Sequence, residues 1–531
     1  MRTVASHGGG SRAAAPPAMS SASLTRTGRG ARRLGSEGRD EPRPEGGAPR
    51  RDGGPWPALA LAALAVASAV LFVVYPTFPN YDSYYSLLWG REVLDGTLPS
   101  FDAYRAPTQH PLAIAFGALL SLVGDSADRV MVGATLVSFV VLAVGLYRLG
   151  RASFGWLVGL VAAGLLCSRF DFPFLAARGY IDIPYLAFVV WAAALEAEQR
   201  APAAEGRGSM RGVPVLLLLA GAGLLRPEAW LLSGLYWLWL FPALGWGGRV
   251  RTALLVALGP AVWIATDWIV TGDPLFSHTH TSGLAEELGR QRGLSEVPRT
   301  TWNFLIGLDK APVFYAGLLG VALAVALVPK RVGVALALLV AGLATFGLVG
   351  VAGLSVIDRY LLVPSLMVMV FAAVTLAGWT MLRDGPARRV WAAAAILLVG
   401  YGVVFTASRV HLSTFDIELQ LRGDSHASLE ALLRDPRVQA GRACGPVSVP
   451  NHKLVPDVRW ILDGGVNDVV ARSDPKQASR IRRGVAVYVT NRAALLRQAL
   501  VEDSDDPLDS VPMAGFRRVA TTEYYGAYVR C

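Results

Sequence analysis

The sequence predicts a polytopic α-helical membrane protein of about eleven transmembrane helices, followed by a small C-terminal α/β domain. Three observations carry that expectation. Hydrophobic residues make up 53% of the 531-residue chain and charged ones only 17%, more apolar sequence than a soluble core of this size needs. The apolar residues gather in runs separated by short basic clusters. Beyond about residue 408 the runs stop and a segment of ordinary mixed composition begins.

Taken in order, residues 1–54 hold ten Arg against five acidic residues, with abundant Gly, Ala, Pro and Ser. Such a segment cannot bury a core and is expected to be a disordered cytoplasmic tail, with translation starting at Met1 or Met19. It lacks the apolar core and small-residue cleavage site of a secretory signal, so the first apolar run, Pro57 to Tyr75, is expected to remain as an anchor. Further runs follow at Val130 to Tyr147, Phe154 to Phe170, Tyr180 to Leu195, Val213 to Leu225 and Ala229 to Leu244. The rest lie at Thr252 to Val270, Ala311 to Val328, Val332 to Leu354, Tyr360 to Leu382 and Val390 to Thr406. Residues 55–408 are read together as the transmembrane domain.

The run Leu112 to Val123 decides the topology, because counting it as a span reverses the side of everything after it. It is shorter than the roughly 20 residues a bilayer needs. With it in the interface, the clusters Arg148 and Arg151, Arg200 to Arg211, Arg249 and Arg251, Lys330 and Arg331, and Arg383 to Arg389 all share the cytoplasmic side with the tail. The first external loop then covers residues 76–128 and holds two short helices. One of these reads from Ser83 to Leu94, closed by Gly96. Asp267, the acidic residue well inside a run, is read as close to the outer boundary.

By the same parity the C-terminal domain, 409–531, is extracytoplasmic. Val447 to Val449 and Val485 to Val489 read as strands and Asn491 to Ala499 as a helix. Cys444 and Cys531 could pair there, and two free thiols are the alternative; the three cysteines have no metal-ligand spacing. The net charge of +10 is topology charge spread between spans, which argues against nucleic acid as a partner.

No Walker loop or dinucleotide fingerprint occurs, and the cytoplasmic loops are too short for a nucleotide domain. An enzyme with its polar residues outside needs an activated donor delivered through the membrane, and a polyprenyl-phosphate-linked sugar fits. The chemistry asks for a carboxylate to take the acceptor proton and for cations to hold the departing phosphate. Asp82, in Phe78-Pro-Asn-Tyr-Asp82-Ser-Tyr-Tyr85, is the candidate base, with Tyr85 beside it as a substrate contact. Arg105, His110, Arg178, Arg226 and Arg359 are the candidate phosphate contacts. The bland reading makes Asp82 the N-cap of its helix.

The order of these features resembles the GT-C superfamily of membrane glycosyltransferases, which includes protein O-mannosyltransferases, aminoarabinose transferases and the catalytic subunit of oligosaccharyltransferase. The resemblance covers residues 57 to about 410. It rests on an acidic residue opening an external aromatic helix, an interfacial helix led by Gln109-His110-Pro111-Leu112, a span ending in cytoplasmic Arg, and an external Asp before the fourth span. It implies a polyprenyl-linked donor used at the extracytoplasmic face, Asp82 as the first-loop acid and Asp182 of Arg178-Gly-Tyr-Ile-Asp182 as the second. Asp182 then orients the acceptor or a metal. His110 falls near the lysine that precedes Pro-Pro-Leu in aminoarabinose-type enzymes, although that dipeptide is absent here. Asp358-Arg359-Tyr360 resembles the family's late Arg-Tyr motif. Arg226-Pro-Glu228 resembles a polar turn of the family and reads equally as a structural ion pair. No cofactor follows from the residues themselves; a divalent metal remains possible, with Glu286 or Glu287 as its later-loop ligand, while monophosphate-donor relatives often work without one.

The expected function is transfer of one sugar, with inversion, from the lipid-linked donor to a glycan, lipid or protein of the cell envelope, in the plasma membrane. The rival is a transporter or lipid flippase. It predicts paired interrupted helices with ionisable residues near the midplane. His278 and His280 lie in the 271–310 loop at a spacing that suits strand neighbours but are read as solvated loop histidines, and Asp182 could simply cap its span.

Overall fold

The computed structural model describes residues 53–200, 212–409, 412–478, 481–500 and 512–531. Of the expected tail only 53 and 54 fall within these, and Arg211 lies outside them. The first run forms α1 (Trp56–Val74), and the loop after it folds into α2 (Tyr81–Leu94) and α3 (Pro111–Ser121). The N-cap of α2 is Asn80, whose side chain accepts the Ser83 amide at 3.2 Å. The capping role weighed for Asp82 therefore belongs to Asn80, and Asp82 sits in the first turn, where the positive end of the helix dipole favours its charge. Helices α2 and α3 cross backbone to backbone: a Cβ on Gly90 would lie 2.2 Å from the Ala118 nitrogen, and one on Gly117 would lie 2.3 Å from the Ser86 carbonyl. Only glycine permits that approach.

Next come α4 (Ala127–Phe154), α5 (Trp156–Cys167), α6 (Asp171–Ala177), α7 (Asp182–Gln199), α8 (Val213–Leu225), α9 (Glu228–Leu240) and α10 (Trp246–Thr271). They are followed by α11 (Phe276–Glu287), α12 (Val297–Asp309), α13 (Ala311–Leu327), α14 (Gly333–Val351), α15 (Leu362–Ala377) and α16 (Pro386–Arg409). Each of the eleven expected spans is a helix. Six are long and apolar enough to cross a membrane, and eight if α5 with α6 and the segment Leu294–Asp309 with α13, bent by 65° and 109°, each count as one. The shortfall from eleven is α7, whose first turn and end are acidic, and α8 and α9. At 13 residues each, these last two extend about 20 Å against a hydrocarbon core of about 30 Å.

Helix α15 is the hub. Nearly every residue from Leu362 to Ala377 is buried, as an all-round apolar helix requires, and α5, α13 and α14 pack around it. The pair α4 and α7 forms the other half of the core, with α8 beyond.

The C-terminal segment opens with α17 (Leu412–Leu433), α18 (Pro436–Arg442) and α19 (Val455–Leu462), packed around a five-stranded sheet. Its strands are β1 (Val447–Val449), β2 (Val469–Ala471), β3 (Gly484–Val489), β4 (Arg517–Thr521) and β5 (Tyr525–Arg530), in the order β2-β1-β3-β5-β4. β1 runs parallel to β2 and β3, and β5 antiparallel to β3 and β4. Cys444 and Cys531 are joined. The expected helix near Asn491 is shorter than the sequence suggests, Arg492–Arg497, with Asn491 as its N-cap. His278 and His280 are not strand neighbours: both lie on α11, where Phe276 and His280 stack at 5.0 Å because residues four apart share a helix face.

This segment is fastened to the first loop. Arg459, 2% exposed, donates to Glu92 on α2 at 2.7 Å. Tyr75 donates to Asp416 at 2.6 Å, and Arg91 pairs with Asp463 at 2.5 Å. The C-terminal segment thus grips the end of α2 remote from Asp82.

Candidate active site

Four separate chain segments bring acids and arginines to one place. Asp82, Asp182 and Glu228 each occupy the first turn of a helix, α2, α7 and α9, and Arg226 caps the C-terminus of α8. Each of these four charges therefore sits at the helix end whose dipole suits it. Arg359 comes from the short 3-10 turn Asp358–Leu361 that leads into α15.

Their side chains form one continuous network. Arg359 Nη1 donates to Asp82 Oδ2 at 3.0 Å, while its Nη2 and Nε reach Asp182 Oδ2 and Oδ1 at 2.6 and 3.3 Å. Arg226 bonds Asp182 Oδ1 through Nη1 and Glu228 Oε1 through Nη2 at 2.7 Å. Asp182 is wholly buried, so its charge is tenable only because two guanidiniums hold it. Burial works against the charge on Arg226, but Glu228 and Asp182 outweigh it and raise its pKa. Tyrosines complete the walls: Tyr180 lies 5.3 Å from the Arg359 guanidinium, and Tyr360 and Tyr185 lie 5.2 and 5.6 Å from that of Arg226.

Asp82 is the accessible acid. Its side chain is 17% exposed, and its Oδ1 accepts no hydrogen bond among the described residues. The strand of chain that carries it is pinned to the turn before Asp182. The Asn80 amide donates to the Arg178 carbonyl at 2.7 Å and the Ser83 hydroxyl to the Gly179 carbonyl at 2.6 Å. Gly179 has a φ of +66°, and a Cβ there would stand 3.2 Å from Pro79, so a side chain would both strain the turn and push the two loops apart.

Of the residues expected from sequence, Asp82, Asp182, Arg226, Glu228 and Arg359 meet in this network. His110 lies beside it, N-terminal to α3, with its ring 5.9 Å from that of Trp263. Burial chiefly, with the nearby arginines against the carboxylates, lowers its pKa to about 4, so the ring is neutral. Three others stand apart. Tyr85 is a fully buried residue of α2, 5.2 Å from Trp89. Arg105 pairs with Glu287 at 2.8 Å. Arg178 lies 4.0 Å from the Phe78 ring on the side facing the C-terminal segment. Sequence reasoning gave no role to the three tyrosines around the arginines, although Tyr180 and Tyr360 lie inside motifs it quoted.

Glu286 faces Arg292 and Glu287 faces Arg105. Among the described residues no group of three or more His, Cys, Asp or Glu side chains is placed to hold a metal ion. In the network itself three carboxylates are interleaved with two guanidiniums.

No protein-family model and no curated protein matches the sequence. Solved structures do match. ArnT from Cupriavidus metallidurans, bound to undecaprenyl phosphate, aligns over 90% of this chain and 98% of its own with a TM-score of 0.53 and 13% identity. Its apo form aligns over 89% and 98%, with a TM-score of 0.52 and 13% identity. The oligosaccharyltransferase AglB from Archaeoglobus fulgidus, in complex with an inhibitory peptide and a dolichol-phosphate, aligns over 89% of this chain and 74% of its own, at 0.50 and 11%. Both proteins are GT-C glycosyltransferases. The chain has the GT-C fold. At such identities the likeness concerns the fold alone, and it spans the membrane helices and the C-terminal segment together. Within the GT-C fold of this chain, Asp82 opens the first helix after α1, and Asp182, Arg226 and Arg359 stand at the ends of later helices on the same side of the core.

Proposed function

We propose that this protein is a membrane glycosyltransferase that moves one sugar from a polyprenyl-phosphate donor to an extracytoplasmic acceptor. The observation that carries the reading is the Asp82–Arg359–Asp182 bridge, which sets a partly exposed carboxylate and a phosphate-binding guanidinium side by side at the ends of apolar helices. Undecaprenyl phosphate in ArnT and dolichol-phosphate in AglB support a lipid-linked donor.

Asp82 accepts the proton of the acceptor hydroxyl as its oxygen attacks the anomeric carbon. The lipid phosphate leaves from the opposite face, so configuration inverts. Arg359 and Arg226 take the charge that develops on the phosphate, a planar fork matched to its oxygens. A phosphate that draws Arg359 toward itself also loosens its bond to Asp82, which frees that carboxylate for the acceptor hydroxyl when the donor is in place. Neutral His110 supplies one further hydrogen bond. Asp182 acts as the organiser that keeps both guanidiniums aimed, rather than as an acceptor or metal contact. The disulfide supports an oxidising compartment for the C-terminal segment, and with it an external site in the plasma membrane.

The test is transfer of radiolabelled sugar from a panel of polyprenyl-phosphate sugars to membrane extract, by wild type and Asp82→Asn. Transfer by wild type that falls about 10²–10⁴-fold in the folded variant assigns the base. Equal transfer by both removes Asp82 from the mechanism.

One observation favours the rival transporter. The breaks of two bent helix pairs meet, where Arg169 donates to the Asp309 carbonyl at 2.8 Å and the wholly buried Asp309 carboxylate takes the Ser365 hydroxyl at 2.8 Å. Broken helices with a buried acid at the break are how transporters build an ion path. Lipid flipping in liposomes by wild type, lost in Asp309→Asn but kept in Asp82→Asn, would establish that reading instead.

A further inference from the structure

We propose that a cavity between the start of α4 and helices α17 and α19 binds a sugar unit of the acceptor, which makes the acceptor an oligosaccharide or a glycan-bearing molecule. The inference rests on the glycosyl-transfer reading above and names its acceptor class. The cavity holds about 340 Å³, within the range of about 300–1,000 Å³ typical of ligand sites.

Its chemistry is that of a carbohydrate site. One aromatic wall, Trp460, offers apolar surface to the C–H face of a sugar ring, while Asp128, Glu430, Arg434 and Ser126 line the same space with hydroxyl partners. The charges nearly balance. Arg129 is engaged with the carbonyls of Phe72 and Thr77, at 2.5 and 2.6 Å, and Glu430 with Arg434 at 2.7 Å. His426, stacked on Phe78 at 4.3 Å, is held neutral, its pKa lowered to about 3, first by burial and then by Arg178 and Arg129. A lining of that kind suits a neutral polyhydroxylated group over a strongly charged one.

Position ties the cavity to Asp82. Phe78 precedes Asp82 by four residues, so even a fully extended chain separates their Cα atoms by at most about 14 Å. Tyr84, two residues beyond Asp82, reaches the cavity residue Asp128 at 3.2 Å and His426 at 3.4 Å. The segment Pro76–Phe78 that walls the cavity runs directly into α2, which carries the base. An acceptor whose distal sugar rests on Trp460 and whose attacking hydroxyl meets Asp82 must be longer than a monosaccharide.

The test is saturation-transfer NMR on the purified full chain in detergent, with tetrasaccharides of hexoses and of pentoses as probes and no donor present. The expected result is saturation of at least one tetrasaccharide by wild type, reduced at least fivefold in Trp460→Ala. Ala427→Trp, which fills the cavity from an exposed position on its wall, does the same without removing any core packing. No saturation by wild type, or equal saturation by Ala427→Trp, overturns the proposal. The two readings fail separately. Binding at the cavity with no transfer from any donor sinks the glycosyltransferase assignment alone, and transfer whose acceptor KM is the same in Ala427→Trp sinks the cavity alone.

Discussion

Asp82 and Asp182 share one guanidinium: Arg359 donates to the first at 3.0 Å and to the second at 2.6 Å. The shared cation couples an exposed acid to a buried one, and several expectations follow from how differently its neighbours are buried.

Arg226 stands between two buried carboxylates and is itself 8% exposed, whereas Arg359 is 28% exposed. Arg226→Ala leaves Asp182 and Glu228 without their shared partner and is expected to destabilise the protein by about 3–5 kcal/mol. Arg359→Ala is expected to cost less stability and more activity, because water can replace its exposed side but not the grip proposed for it on the donor phosphate. Thermal unfolding in detergent beside initial transfer rates separates the two.

Arg459 holds the far end of α2 through Glu92, and Ser100 joins them, its amide donating to Glu92 at 2.8 Å. Arg459→Ala is expected to lower kcat, although Arg459 touches neither Asp82 nor the arginines of the site, because α2 loses its anchor. The conservative Glu92→Gln keeps a hydrogen bond to Arg459 and should retain most of the activity. Equal kcat in Arg459→Ala and wild type, with both folded, would falsify the anchoring role.

Asp457 on α19 is buried, and burial chiefly raises its pKa from 3.8 to about 8, against the pull of Arg178. The folded state thus binds its proton more tightly than the unfolded chain. Its contribution is fully present below about pH 4 and is lost as pH rises to 8. Asp457→Asn cannot ionise, so its melting temperature should exceed that of wild type by a margin that grows from pH 5 to pH 8 and then levels off. His426, with its pKa lowered from 6.5 to about 3, works the other way and withdraws stability as pH falls below 6.5. A margin independent of pH between 5 and 9 would show that Asp457 stays ionised in the fold.

The Cys444–Cys531 bond closes a loop across 87 positions, which in the chain-entropy account contributes about 4.6 kcal/mol. Cys531→Ser is expected to lower the melting temperature of the C-terminal sheet. On intact cells, Cys444 of that variant should react with a membrane-impermeant maleimide once the sheet is opened by mild denaturant. Labelling only after the cells are permeabilised would place the segment on the cytoplasmic side.

The sequence by itself determined which apolar runs become helices, while α6, α11, α12 and α17 to α19 went unread in it. Apolar runs of helical length have little choice in lipid, where every backbone group must be bonded within its own segment. The same holds for the short strands Val447–Val449 and Gly484–Val489, read from their apolar character. It also determined five of the network residues, because a charge at the end of an apolar run is costly and therefore conspicuous: Asp82, Asp182, Arg226, Glu228 and Arg359 all stand at such ends. Only the tertiary structure decided which of these charges meet. Partner choice depends on the packing of α2, α7, α8 and α15 across gaps of up to 277 residues, and no local pattern encodes it. For the same reason the sequence could not separate Arg178, turned toward Phe78, from Arg359, turned toward Asp182. Nor could it show the cavity beside Trp460, whose walls come from a loop, a membrane helix and a C-terminal helix that become neighbours only when the chain has folded.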